Sequence, residues 1–165
     1  KPLFKSRLVY LLKKIASEEK VVEAEEECTA SEEAALPGFY GKRILLTEDN
    51  ELNREIAMEI IGSTGAVVEC AVDGKQGVEK FLEKEEGYYD LIFMDIQMPV
   101  MNGHEATKTI RKLDRKDAKK IPIIALTANA YTEDVIASRK AGMNKHMTKP
   151  LMIERLMECM TRWLK

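Results

Sequence analysis

From residue 43 onward, short apolar runs alternate with amphipathic stretches. Arg43 to Thr47 reads as a strand, and Asn50 caps a helix from Glu51 to about Ser63. Ala66 to Val72, rich in Val and Ala, reads as a second strand. Asp73 and Gln76 have capping-box spacing and open a helix to about Glu86. Tyr89 to Met94 is apolar without alternation, as expected of a central parallel strand covered on both faces. A helix over Gly103 to Leu113, a charged loop from Asp114 to Lys120 and an apolar strand from Ile121 to Leu126 follow. Thr132 to Ala141 is helical and Gly142 stops it. Asn144 to Thr148 is a short strand, and Leu151 to Leu164 is a last amphipathic helix. Strands interleaved with helices predict an α/β fold: a doubly wound, five-stranded parallel sheet joined by right-handed crossovers.

The first forty residues follow another pattern. Leu3, Phe4, Leu8, Leu11, Leu12 and Ile15 form a helical stripe within residues 1–17. Glu18 to Glu33 holds eight glutamates and one lysine, so residues 18–41 read as an acidic linker. Lys1-Pro2-Leu3-Phe4-Lys5-Ser6-Arg7-Leu8 repeats the pattern of Lys149-Pro150-Leu151-Met152-Ile153-Glu154-Arg155-Leu156. Residues 1–17 are therefore expected to be the last helix of a preceding copy of the domain at 42–165. Such an orphaned stripe must bury somewhere, and self-association through it is the expectation. The chain starts at Lys1 rather than Met and reads as a fragment.

Charge and cysteine content narrow the function. Acids and bases nearly cancel, leaving a net charge of -2, which argues against a nucleic-acid partner. The three cysteines are scattered without a CxxC pair, as in a reducing compartment and without a zinc site. No apolar stretch approaches the roughly 18 residues of a membrane helix. A cytoplasmic domain is expected, its parent free to be membrane-anchored.

The chemistry concentrates at strand ends. Asp95 ends the central apolar run, Glu48 and Asp49 follow the first, Thr127 follows the fourth and Lys149 the fifth. In a parallel sheet these ends share the edge where open α/β folds bind ligands. A lone carboxylate at a strand end is as often a cap or a solvated loop residue. Three acids with a hydroxyl and an amine suit a divalent metal and a phosphoryl group. A carboxylate attacks phosphorus poorly until anion repulsion is cancelled, which Mg²⁺ on oxygen ligands achieves. Lys149 supplies further positive charge. Clustered carboxylates also raise the pKa of at least one member.

Taken in order, Glu48-Asp49, Met94-Asp95-Ile96-Gln97-Met98-Pro99, Thr127 and Lys149-Pro150 resemble the motifs of a response-regulator receiver domain of the CheY-like kind. The flanking residues resemble receivers of hybrid sensor histidine kinases, here the second of two in tandem. The resemblance implies a flavodoxin-like strand order 2-1-3-4-5. It implies Asp95 as phosphoacceptor, Lys149 and Thr127 as its partners, and Mg²⁺ (or Mn²⁺) on Glu48, Asp49, Asp95 and the Gln97 main-chain carbonyl. It also implies a cis bond at Pro150, a switch at Thr127, and a phosphate lifetime set by Gln97 and Asn129. The implied phosphodonor is a histidine kinase core and the implied recipient a histidine phosphotransfer domain. The domain would catalyse only its own phosphorylation and dephosphorylation. One position departs from the pattern. Where receivers carry Tyr or Phe as an aromatic switch, this chain has His146. Two outcomes stand open there: a ring that moves toward Thr127, or one that takes no part.

The competing functions are a pseudo-receiver scaffold that never takes phosphate and a flavodoxin-like flavin binder. The acid set argues against the first, and Glu48-Asp49-Asn50-Glu51 would repel the phosphate of the second. A haloacid-dehalogenase-type phosphatase wants an acid where Gln97 stands. Other conspicuous residues have plainer readings. Met143, Met147, Met152, Met157 and Met160 read as packing, Cys70 and Cys159 as buried small side chains, Gly103 as a helix start, and Lys116 to Lys120 as a solvated loop.

Overall fold

The computed structural model describes residues 38–128 and 132–164. The readings for residues 1–17, most of the linker, Cys28 and Asn129 lie outside the described residues. Among the described residues the strands are β1 (Arg43–Thr47), β2 (Val67–Ala71), β3 (Leu91–Asp95), β4 (Ile123–Thr127) and β5 (Lys145–Thr148). The helices are α1 (Glu51–Gly62), α2 (Gly74–Glu83), α3 (Gly103–Lys112), α4 (Lys116–Lys120), α5 (Thr132–Ala141) and α6 (Ile153–Trp163). The strands form one parallel sheet in the order β2-β1-β3-β4-β5, as expected.

Two cores explain the unbroken apolar strands. Ile44, Leu46, Leu91, Phe93, Ile124 and Leu126 face Ala57, Ile60 and Ile61 of α1 and Leu156, Cys159 and Met160 of α6. Their neighbours Leu45, Ile92, Met94, Ile123 and Ala125 face Val78 and Phe81 of α2, Ala106 and Ile110 of α3, and Ala118 of α4. Alternate side chains of a strand point to opposite faces, so a strand covered on both must be apolar throughout. Among the described residues no helix is long and apolar enough to cross a membrane.

Several boundaries differ from the sequence expectation. The run Lys116–Lys120 is a short helix, with Ala118 buried at its centre. The charge pattern hid one apolar residue that the second core required. Asn144 lies before β5, and its side-chain oxygen accepts from the Ile123 N–H at 2.9 Å. The last helix begins at Ile153, two residues later than expected. Asp73 caps α2 by accepting from Gln76 N–H, but the Gln76 side chain bonds to Val72 N–H, so the box is half made. The full box is at α3, between Asn102 and Glu105. Met152 is 51% exposed, unlike the other four methionines named above, which are buried.

Cys159 is buried, whereas Cys70 is only half-buried. Burial pushes the Cys159 thiol up to about 11. The thiolate is the reactive form, so Cys159 should be nearly inert. Burial raises the Cys70 thiol as well, but that side chain is the more accessible, so at pH 7.5 a maleimide probe should label Cys159 more slowly than Cys70. Peptide mass spectrometry reads each site separately. Equal labelling of the two in folded protein would show that α6 opens easily.

Candidate functional site

β1, β3, β4 and β5 end side by side, and their last residues and the loops after them carry the polar groups. Asp95 is the last residue of β3 and lies opposite Leu126. It is 3% exposed, set further into the sheet than a residue following the strand would be. Gly103, at the start of α3, explains the closeness of the next loop: its N–H donates to Ile96 O at 3.0 Å. A Cβ there would fall on the Asp95 main-chain oxygen. The loop between is tightly wound. Met101 N–H donates to Pro99 O at 2.7 Å across Val100, whose φ is +66°. A β-branched residue in this region is strained, a device common beside functional sites. Gly74 N–H, at the head of α2, in turn donates to Met101 O at 3.0 Å.

Lys149 and the acids meet as expected. Lys149 Nζ donates to Asp95 Oδ2 at 2.6 Å and to Glu48 Oε1 at 2.9 Å. The other Asp95 oxygen, Oδ1, accepts from Gln97 N–H at 3.1 Å. Glu48, Asp49 and Asp95 each bring a carboxylate oxygen within 4.8 Å of the others. Glu48 is fully buried and Asp49 exposed. Glu48 Oε2 pairs with Lys149 Nζ at 2.7 Å, so the ammonium spans both oxygens of this carboxylate. A buried carboxylate is costly unless a cation meets it, and here the Lys149 ammonium does. The set fits a hard divalent ion: three clustered carboxylates, with Glu48 and Asp95 buried and Asp49 open to solvent.

Burial is the largest influence on Asp95 and raises its pKa; the Lys149 hydrogen bond opposes this and the charge of Glu48 adds to it. The expected repulsion between acids is present, but desolvation leads. For Lys149, burial works against the charged form, yet bonding to Asp95 and Glu48 leaves its pKa raised.

Thr127 ends β4 and is buried, and its carbonyl accepts from Lys149 N–H at 2.8 Å. The Lys149–Pro150 bond is cis, as expected. Gln97 is exposed and meets Asp95 through its backbone. His146 is half-buried on the edge strand opposite Ala125. It lines a cavity of about 380 Å³ with Lys145, Met147, Thr148, Arg155 and Glu158, none of which belongs to the acid cluster. Sequence reasoning missed two residues of the α1 first turn. Asn53 Nδ2 donates to Glu48 Oε1 at 3.1 Å, and Arg54 Nη1 donates to the main-chain oxygens of Glu48 at 3.0 Å and Asp49 at 3.2 Å. The available signal was their place one helical turn after the acids.

A doubly wound parallel sheet with two buried acids and a lysine at its strand ends defines a class of open α/β domains whose site lies on that edge. The particular family follows from comparison: residues 44–161 match the response regulator receiver domain model, and the chain belongs to that family. It is 36% identical over 117 residues to the peroxide stress-activated histidine kinase mak1 of Schizosaccharomyces pombe, a match covering 70% of this chain and 7% of that protein. It is 38% identical over 129 residues to probable histidine kinase 2 of Oryza sativa subsp. indica, covering 72% of this chain and 12% of that protein. The chain thus spans a small part of these relatives.

Among solved structures, the receiver domain of sensor histidine kinase PA1611 from Pseudomonas aeruginosa, with magnesium coordinated in its active site cleft, is 38% identical. Its TM-score is 0.67, covering 75% of this chain and 98% of that one. The receiver domain of Ssk1 from Saccharomyces cerevisiae, co-crystallised with the histidine phosphotransfer protein Ypd1, is similar at 30% identity and TM-score 0.67. That match covers 78% of this chain and 90% of the other.

Proposed function

We propose that this receiver domain takes a phosphoryl group from a phosphohistidine onto Asp95 and passes it to a histidine phosphotransfer domain. The parent protein would be a hybrid histidine kinase. The observation that carries the reading is Asp95 itself, 3% exposed at the end of the central strand and bonded to Lys149 at 2.6 Å. An Asp95 carboxylate oxygen forms the new O–P bond while the P–N bond of the donor breaks, its electron pair staying on the imidazole. Lys149 would hold a phosphoryl oxygen, and Thr127 would donate to the acyl phosphate. Mg²⁺, on Glu48, Asp49, Asp95 and the Gln97 carbonyl, would neutralise phosphoryl charge. Gln97 and Asn129 would set the lifetime of the product by governing the approach of water.

The partner reading draws support from the Ssk1–Ypd1 neighbour and from the surface beside the acids. Leu52 is 65% and Ile56 is 37% exposed, one turn apart on α1. Exposed apolar residues rimmed by polar ones suit a docking protein. The first test is intact mass after acetyl phosphate and Mg²⁺, with a gain of one phosphoryl unit expected. Asp49→Ala should weaken Mg²⁺ binding and slow this gain together. Unchanged metal affinity in that variant would mean the ligand set is wrong, and no gain in the wild type would leave a scaffold without phosphate chemistry.

A further inference from the structure

We infer that Asn53 is a positioning residue for the metal-binding carboxylate Glu48; the inference rests on the metal site proposed above. Glu48 is fully buried, with three torsions between backbone and charge. Two donors meet the same oxygen, Oε1: Lys149 Nζ at 2.9 Å and Asn53 Nδ2 at 3.1 Å. Lys149 Nζ also pairs with the other oxygen, Oε2, at 2.7 Å, so Asn53 is the donor that distinguishes Oε1 from Oε2. Lys149 alone could not fix this arrangement, because it also holds Asp95 at 2.6 Å and must adjust when a phosphoryl group arrives. The Asn53 amide holds Glu48 independently of that change.

The orientation of the amide is decided by chemistry. An ionised carboxylate only accepts, so the NH₂ must face it. The backbone of Asn53 is itself fixed, its N–H donating to the capping Asn50 side chain at 3.1 Å. Arg54, next along, holds the main chain of both acids. One helical turn therefore ties the depth, direction and backbone of the acid loop together. Hydrogen-bond partners of metal ligands matter in proportion: their removal typically costs roughly 10–100-fold in affinity.

The experiment measures Mg²⁺ affinity by titration calorimetry on the full chain, beside thermal midpoints, for wild type, Asn53→Ala and Asn53→Gln. Alanine is a better helix former than asparagine, so the midpoint should hold. Asn53→Ala should weaken Mg²⁺ about tenfold or more. Its phosphorylation rate should recover at saturating Mg²⁺, and Asn53→Gln, which keeps the donor, should restore most of the affinity. Unchanged affinity in Asn53→Ala overturns the proposal. So does an affinity loss that tracks a lowered midpoint, since the role would then be structural. If the wild type itself binds no Mg²⁺, the underlying metal-site reading falls, an outcome distinct from a wild type that binds and a variant that binds equally well.

Discussion

Asp95→Asn is expected to abolish the gain of one phosphoryl unit, while every other named variant still gains mass given enough time and metal. The change preserves shape and removes charge. The remaining carbonyl oxygen is a poor nucleophile, and the new NH₂ faces either Lys149 Nζ or Gln97 N–H, both donors. A lost site and a collapsed fold are separable here. Burial raises the Asp95 pKa, so the metal-free native state holds its proton more tightly than the unfolded chain does. Between the unfolded value of 3.8 and the raised native one, stability therefore falls as pH rises. Above that window the cost of the charge persists, and Asp95→Asn should remove it. In EDTA at neutral pH the variant should melt close to wild type, because relief of the buried charge and loss of the Lys149 pair act in opposite directions. Phosphorylation of Asp95→Asn at the wild-type rate would remove Asp95 from its role. A strongly lowered melting point would show that the carboxylate serves the fold.

Arg111→Met is expected to lower stability by about 2–4 kcal/mol, the largest effect away from the acids. Arg111 closes α3 yet does not extend into solvent. Nε donates to Gly142 O at 3.0 Å, Nη1 to Ala118 O at 2.7 Å, and Nη2 to Ile121 O and Asn144 Oδ1, both at 2.9 Å. One guanidinium thus joins α3, α4, the start of β4 and the turn into β5. Burial lowers its pKa, and none of these partners is a carboxylate. Removing it orphans several acceptors at once. Arg111→Lys should recover only part, because an ammonium lacks the planar fork that reaches carbonyls on different elements. Urea unfolding checks this, with a lower midpoint and an unchanged slope. A loss under about 1 kcal/mol would mean that water satisfies the abandoned carbonyls.

The strands and the acid site were legible because periodicity and strand ends are local properties. β1 matched its expected span residue for residue, as did α5. Asp95, Glu48, Asp49 and Lys149 were found because a parallel sheet sends the ends of its strands to one edge, whatever the side-chain detail. Reasoning failed where a residue answers to a distant partner. Lys116–Lys120 reads as solvated until Ala118 is seen under it, and Arg111 reads as an ordinary helix end until its acceptors arrive from three other elements. Asn53 looks like a solvent-facing helix residue because nothing local shows that Glu48 turns back toward it.

What the amino-acid order determined alone was the α/β alternation, the parallel sheet and the identity of the acids and the lysine. Each rests on which residues are apolar and on where the apolar runs stop. Only the tertiary structure decided that Asp95 is buried, that Lys149 joins two carboxylates, that Asn53 meets Glu48, and that Val100 is wound past its preferred region. These depend on distances between elements. Such distances are set by how α1, α2 and α3 pack on the sheet, which no single segment encodes.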